Sequence, residues 1–116
     1  MEPFQFQTAL GISCLIGFFA WRHLRFAGVK SRLPDLLAQG GVVIDVRSKA
    51  EYAAGARPDS LNIPLADLPA KLSKLDRAKP VIVCCASGTR SGMAAGILKR
   101  NGFKLVFNAG PLGNTI

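Results

Sequence analysis

Beyond residue 40, apolar positions fall into short continuous runs separated by stretches with helical spacing. Four of the runs are typical of strands, and they lie at 42–46, 61–63, 81–85 and 105–107. The first reads VVIDV and the third VIVCC, and continuous runs of this kind are typical of strands buried on both faces. Strands that alternate with helices predict a parallel sheet, so the expected fold class is α/β with helices on both faces of the sheet.

Local signals place the helices between these runs. Helices are expected over 34–39, from Ser48, from Asp67 and over 91–101. Ser48 and Glu51 have the spacing of a capping box, which predicts a helix start directly after the first strand. Asp67 is expected to cap a helix with leucines on one face, at positions 68, 72 and 75.

The N-terminal segment is different, because residues 3–21 carry no charge. A helix of about 19 residues spans about 28 Å, which is close to the hydrocarbon thickness of a bilayer. Basic residues follow the segment at positions 22, 25, 30 and 32, and such residues favour the cytoplasmic side. We therefore expect residues 1–26 to be a transmembrane anchor in the inner (cytoplasmic) membrane, with residues 27–116 as a catalytic domain on the cytoplasmic side.

Two other interpretations of this segment remain open. A signal peptide needs positive charge before its apolar run, but here only Glu2 precedes it. A buried helix of the following domain is the other alternative. Ala9, Ser13 and Gly17 recur every four residues, a spacing that lets two helices approach closely. A homodimer through this segment is therefore also left open.

Composition and charge limit the classes of molecule that the chain is expected to bind. The chain of 116 residues has a formal net charge of +8, but its basic residues do not alternate with aromatic ones. It also lacks the cysteine and histidine spacing of a zinc site, so we expect no nucleic-acid partner, no metal and no cofactor.

Cys85 is the candidate nucleophile. It ends the predicted strand at 81–85 and is followed by a short polar loop and the start of a helix. Loop amides, the positive end of that helix and the charge of Arg90 all favour the thiolate over the thiol. A buried cysteine that merely ends a strand is the alternative.

The sequence CASGTRS at 85–91 resembles the active-site loop of the rhodanese family, C-x-x-G-x-R-S. Upstream segments follow the family's order, with DVR at 45–47, EY at 51–52, Gly55 and LNIPL at 61–65. The similarity extends from about Leu33 to Ala109. Two pairs depart from the family pattern: Ala-Arg at 56–57 replaces His-Ile, and Asp-Ser at 59–60 replaces Gly-Ala.

This resemblance implies a rhodanese-like parallel sheet and a thiosulfate sulfurtransferase activity. Cys85 would carry a persulfide between a small anionic donor, such as thiosulfate, and a thiol or cyanide acceptor. Substrate-binding residues would be Ala86, Ser87, Gly88, Thr89, Arg90 and Arg47. Arg47 has two interpretations, since it could face the pocket or pair with Glu51. A membrane-tethered binding module without catalysis is the alternative function.

Cys84 raises a third function. Counted from Cys84, the segment is C-x5-R, which is the spacing of tyrosine phosphatases, but their loop has glycine three residues after the cysteine. Gly88 stands three residues after Cys85 and four after Cys84, and Val83 replaces the histidine usual in those enzymes. Neighbours on a strand point to opposite faces, so Cys84 is predicted to point into the core.

Overall fold

The computed structural model describes the backbone of residues 3–116 and the side chains of residues 12–21, 24 and 26–116. The helices are α1 Pro3–Ala38, α2 Lys49–Ala54, α3 Leu68–Lys71 and α4 Thr89–Arg100. The strands are β1 Val42–Asp45, β2 Leu61–Asn62, β3 Val81–Cys85 and β4 Val106–Pro111. Short 3-10 turns flank α3, at Leu65–Asp67 and Leu72–Lys74, and another follows β4 at Leu112–Thr115.

The four strands form one sheet in the order β2-β1-β3-β4, and every pairing is parallel. This confirms the predicted parallel sheet. Asp45 on β1 is in register with Cys84 on β3, so the carboxyl ends of the two central strands meet at one edge. Ligands in parallel sheets bind beyond this edge, and Cys85 is located there.

Helices cover both faces of the sheet, as predicted. On one face, α4 packs through Ala94 and Leu98 against Val83 and Cys85 of β3. On the other face, the second half of α1 packs through residues 33 and 36 against residues 43, 82 and 84 of the central strands. Each face therefore has its own hydrophobic core, and β3 is buried along its whole length.

One close contact fixes α1 on β4. The ring of Phe26 lies against Gly110, where an added Cβ would sit 2.8 Å from the ring carbons. Gly110 also has a φ of +74°, a left-handed conformation that favours glycine. The absence of a side chain at residue 110 therefore lets the middle of α1 reach the sheet.

Local predictions had mixed outcomes. The capping box is confirmed, because Ser48 Oγ accepts from Glu51 N at 3.2 Å and Glu51 Oε1 accepts from Ser48 N at 3.1 Å. The prediction that Asp67 caps a helix is wrong, since its side chain makes no capping hydrogen bond. A 3-10 turn precedes α3 and gives Asp67 helical φ and ψ angles, whereas a capping residue needs an extended conformation.

The predicted membrane location needs correction. Within the described part of the chain, no helix is both long enough and apolar enough to cross a membrane. This finding contradicts the predicted single-pass location and the cytoplasmic orientation that depended on it. Residues 1–2 and the side chain of Ala9, on which the anchor and homodimer predictions partly rest, lie outside the described residues.

Candidate active site

Cys85 ends β3 with its side chain fully buried. The chain then turns tightly and enters α4 at Thr89. Gly88 makes this turn with a φ of +103°, which brings its N–H to 2.9 Å from Cys85 Sγ. A left-handed residue at this position favours glycine, since any Cβ would add strain. The loop therefore directs a main-chain dipole at the sulfur.

Ser91 provides a second contact to the sulfur. Its buried hydroxyl lies 3.4 Å from Cys85 Sγ, with the thiol donating to Ser91 Oγ. The same hydroxyl donates to Gly88 O at 3.1 Å. Ser91 therefore links the thiol to the turn that surrounds it.

These contacts set the ionisation of Cys85. Burial by itself raises the pKa of the Cys85 thiol, but the Ser91 hydroxyl and the amides of Ser91, Gly88 and Ser87 act in the opposite direction. The net pKa lies below the ordinary value of 9.0. Hydrogen bonds to the charged form stabilise it, so this environment favours a thiolate.

Cys84 has a contrasting environment. It points to the opposite face of the sheet, as predicted, and is buried beside Leu36, Ile82 and Ala109. Burial and then the negative charge of Asp45 raise the pKa of the Cys84 thiol to about 12. A thiol with this pKa is protonated at neutral pH, which removes the nucleophile that the phosphatase alternative requires.

Arg90 pairs with Glu51 of α2. Its two terminal nitrogens donate to the two carboxylate oxygens at 2.7 and 3.0 Å, and both side chains are about one-third exposed. Arg90, followed by the backbone of Ser48, lowers the pKa of Glu51 to about 2. The guanidinium that was predicted to bind an anion therefore already has an anionic partner.

Arg47 pairs with Asp45 rather than with Glu51. Its Nε lies 3.0 Å from both carboxylate oxygens and its Nη2 lies 2.7 Å from Oδ2, with the pair almost completely buried. Nη2 also donates to Gly55 O at 2.7 Å. Arg47 therefore ties the end of β1 to the loop after α2.

Comparison with known proteins decides the family. The sequence pattern of the Rhodanese-like domain family matches residues 29–109. The chain belongs to this family. It is 34% identical over 80 residues to a protein named "Sulfurtransferase" from Allochromatium vinosum, which covers 69% of this chain and 73% of that relative.

Solved structures of rhodanese-like proteins agree with the fold. A rhodanese-related protein from Thermoplasma volcanium superposes with a TM-score of 0.64 at 31% identity, covering 74% of this chain and 85% of that one. The human single-domain sulfurtransferase TSTD1 gives a TM-score of 0.57 at 30% identity, covering 72% and 85%.

A groove lies beside the rhodanese-like loop. It has a volume of about 390 Å³, and α1 forms one wall while the start of α4 and β4 form the rest. Its lining residues are Phe18, Trp21, Phe26, Gly88, Thr89, Gly92 and Asn108. Ala86, Ser87 and Thr89, three predicted substrate-binding residues, are exposed on the loop. The structure therefore places Gly88 and Thr89, two of the predicted substrate-binding residues, next to a wall of α1 residues that lie before position 29, where the family match begins.

Two features of the site were not predicted from the sequence. Ser91 is the last residue of the motif C-x-x-G-x-R-S, and its place in this motif is the sequence signal that could have indicated its contact with the sulfur. The aromatic wall from α1 had no comparable signal, because its residues fall in the segment predicted to be a membrane anchor.

Proposed function

We propose that this rhodanese-like protein is a sulfurtransferase that carries sulfane sulfur as a persulfide on Cys85. One observation carries the proposal: the Gly88 N–H lies 2.9 Å from Cys85 Sγ, inside a turn that holds the pKa of this thiol below its usual value. The relatedness to the Allochromatium protein named "Sulfurtransferase" supports the same activity.

The first half-reaction loads the cysteine. The Cys85 thiolate attacks the outer sulfur of a small anionic donor such as thiosulfate. A bond forms between Cys85 Sγ and that sulfur, while the S–S bond of the donor breaks and sulfite leaves with its electron pair. The attack splits one transfer into two displacements joined by a covalent intermediate.

The second half-reaction unloads the sulfur. An acceptor nucleophile, a thiol or cyanide, attacks the outer sulfur of the persulfide. The bond between that sulfur and Sγ breaks, and its electron pair returns to Cys85 as a thiolate. The amides of residues 86–90 are proposed to hold the anionic sulfur during this cycle, as inward-pointing amides commonly hold anions.

The two arginines are proposed to act differently. The Arg90–Glu51 pair is partly exposed, so exchange of the carboxylate for a donor anion costs little free energy. Arg90 can therefore attract the donor. The guanidinium of Arg47 is engaged by Asp45 and Gly55, and its proposed role is to hold the loop after α2 rather than to contact the substrate.

Intact mass spectrometry after incubation with thiosulfate tests the proposal. The wild-type protein should gain the mass of one sulfur atom, and a Cys85→Ser variant should gain none. Cys84→Ala is the matched control, since its thiol lies in the opposite core, and it should load like the wild type. A wild-type protein that never gains sulfur, or a Cys84 variant that alone fails to gain it, would contradict the proposed site. The first of these results would instead favour a binding module.

A further inference from the structure

We infer that the groove between α1 and the Cys85 loop selects an acceptor thiol with an apolar, aromatic body. The inference rests on the proposed sulfurtransferase and names the acceptor class for the same site. It concerns a wall that is particular to this chain, because Phe18, Trp21 and Phe26 all precede residue 29, where the family match begins.

The groove adjoins the turn that surrounds the proposed site of sulfur transfer. Gly88 and Thr89 belong both to the loop around the sulfur and to the groove lining. The N–H of Gly88 lies 2.9 Å from Cys85 Sγ, so one residue of the groove lining also contacts the reacting atom. A molecule in the groove would therefore lie beside the turn that holds the persulfide.

The chemistry of the described lining favours an organic molecule. Three of the seven described lining residues are aromatic, and none of these seven is charged. A dianionic donor would lose hydration against these aromatic rings without gaining an opposite charge from them, which is costly. A phenyl or alkyl body loses little, and a volume of about 390 Å³ lies within the range of small-molecule sites.

The aromatic wall is held in place by the domain. Phe26 is buried against Gly110, which fixes the middle of α1 on β4. Phe18 and Trp21 lie further out, with ring centroids 6.3 Å apart, and both are more than half exposed. Large aromatic side chains that remain exposed on a fixed element are commonly part of a binding surface.

The transfer itself needs no additional reagent. The acceptor thiol, RSH, gives its proton to the outer sulfur of the anionic persulfide, Cys85–S–S⁻, and the resulting thiolate RS⁻ attacks that sulfur. A new S–S bond forms to give RSSH, and the bond to Sγ breaks to regenerate the Cys85 thiolate. The groove contributes by holding the body R while its sulfur approaches the loop.

A pair of acceptor thiols isolates the contribution of the apolar body R to kcat/KM. Phenylmethanethiol and 2-mercaptoethanol are both primary alkyl thiols, so their sulfur atoms are similar nucleophiles. With thiosulfate as donor, the wild-type kcat/KM should favour phenylmethanethiol by about tenfold, a typical discrimination by an apolar pocket. Phe18→Ser should remove most of this preference. Ile16→Ser is the matched control, since Ile16 is 65% exposed on the same helix and does not line the groove.

Binding can also be measured without turnover. Trp21 is the single tryptophan of the chain, so its fluorescence reports on the groove. Benzyl methyl sulfide, which has the same body but no nucleophilic thiol, should cause a saturable change in the wild type and in Ile16→Ser. In Phe18→Ser the midpoint should shift to about tenfold higher concentration.

The outcomes separate the two proposals. A protein that loads sulfur on Cys85 but shows equal kcat/KM for the two thiols, or an unchanged preference in Phe18→Ser, overturns the inference about the groove alone. A protein that never loads sulfur refutes the proposed function, while the fluorescence titration still tests the groove. Absence of a saturable fluorescence change would then overturn the inference as well.

Discussion

Removal of the Ser91 hydroxyl should destabilise the thiolate form of Cys85 relative to the thiol. In the neutral state the thiol donates to Ser91 Oγ, which donates its own hydrogen to Gly88 O. Because the hydroxyl has one hydrogen, it must leave Gly88 O to stabilise the ionised sulfur. Ionisation gains a hydrogen bond to a charged group, about 1.5–3 kcal/mol, and loses the neutral bond to Gly88 O, about 1 kcal/mol, together with the weaker bond donated by the thiol, so the net gain is at most about 1 kcal/mol. Ser91→Ala should therefore raise the pKa of Cys85 by up to about one unit.

The pH dependence of alkylation by iodoacetamide measures this change. Peptide mass spectrometry separates Cys85 from Cys14, which is exposed and also reacts. Ser87→Ala is the matched control from the same loop, because Ser87 acts on the sulfur through its main-chain amide, and it should leave the pKa in place. An unchanged pKa in Ser91→Ala, or an equal rise in both variants, would refute the assigned role of the hydroxyl.

Three further predictions concern stability. Asp45→Asn leaves the buried guanidinium of Arg47 without its charge partner and should lower the free energy of unfolding in urea by about 3–5 kcal/mol. Glu51→Gln should lower the melting temperature at pH 7. The native pKa of Glu51 is about 2 against an ordinary 4.5, so the carboxylate stabilises the fold above about pH 4.5. This difference should shrink as the pH falls towards 2. Gly110→Ala should cost about 2–5 kcal/mol in the same urea assay, because the left-handed conformation strains a side chain by about 1–2 kcal/mol and the added Cβ meets the ring of Phe26, an overpacking of about 1–3 kcal/mol.

Each of these predictions has a control within the chain. Asp35→Asn changes an exposed carboxylate and should be nearly neutral. Glutamine at residue 51 can still complete the capping box, so Glu51→Gln isolates the ion pair. Gly113→Ala adds a Cβ in open space and should be tolerated. Equal effects of the aspartate variants, a Glu51 difference that does not change with pH, or equal effects of the two glycine variants would contradict the reasoning.

Much of the sheet was predictable because its signals are local. A β-branched run such as residues 42–46 predicts a buried strand, and alternation along a strand places Cys84 and Cys85 on opposite faces. The capping box depends on residues three positions apart, and it formed as predicted. The cap at Asp67 failed because a preceding 3-10 turn changed the backbone angles, and side-chain spacing does not report such a turn.

The partners of the charged residues were not predictable in the same way. Arg90 and Glu51 are 39 residues apart, and their contact depends on how α4 and α2 meet at the sheet edge. From the sequence, Arg47 could face the pocket or pair with Glu51. In the structure it pairs with Asp45, two residues earlier. Which ion pairs form is therefore a consequence of packing.

The sequence by itself determined the strand and helix alternation, the position of the candidate nucleophile Cys85 and its glycine turn, since each depends on residues adjacent along the chain. Tertiary structure alone decided the environment of that cysteine. Contact between Phe26 and Gly110 brings α1 beside the loop, where an apolar segment that had suggested a membrane anchor forms the wall of a groove. Apolar side chains show that a segment of the chain favours burial, but only the fold determines which surface that segment packs against.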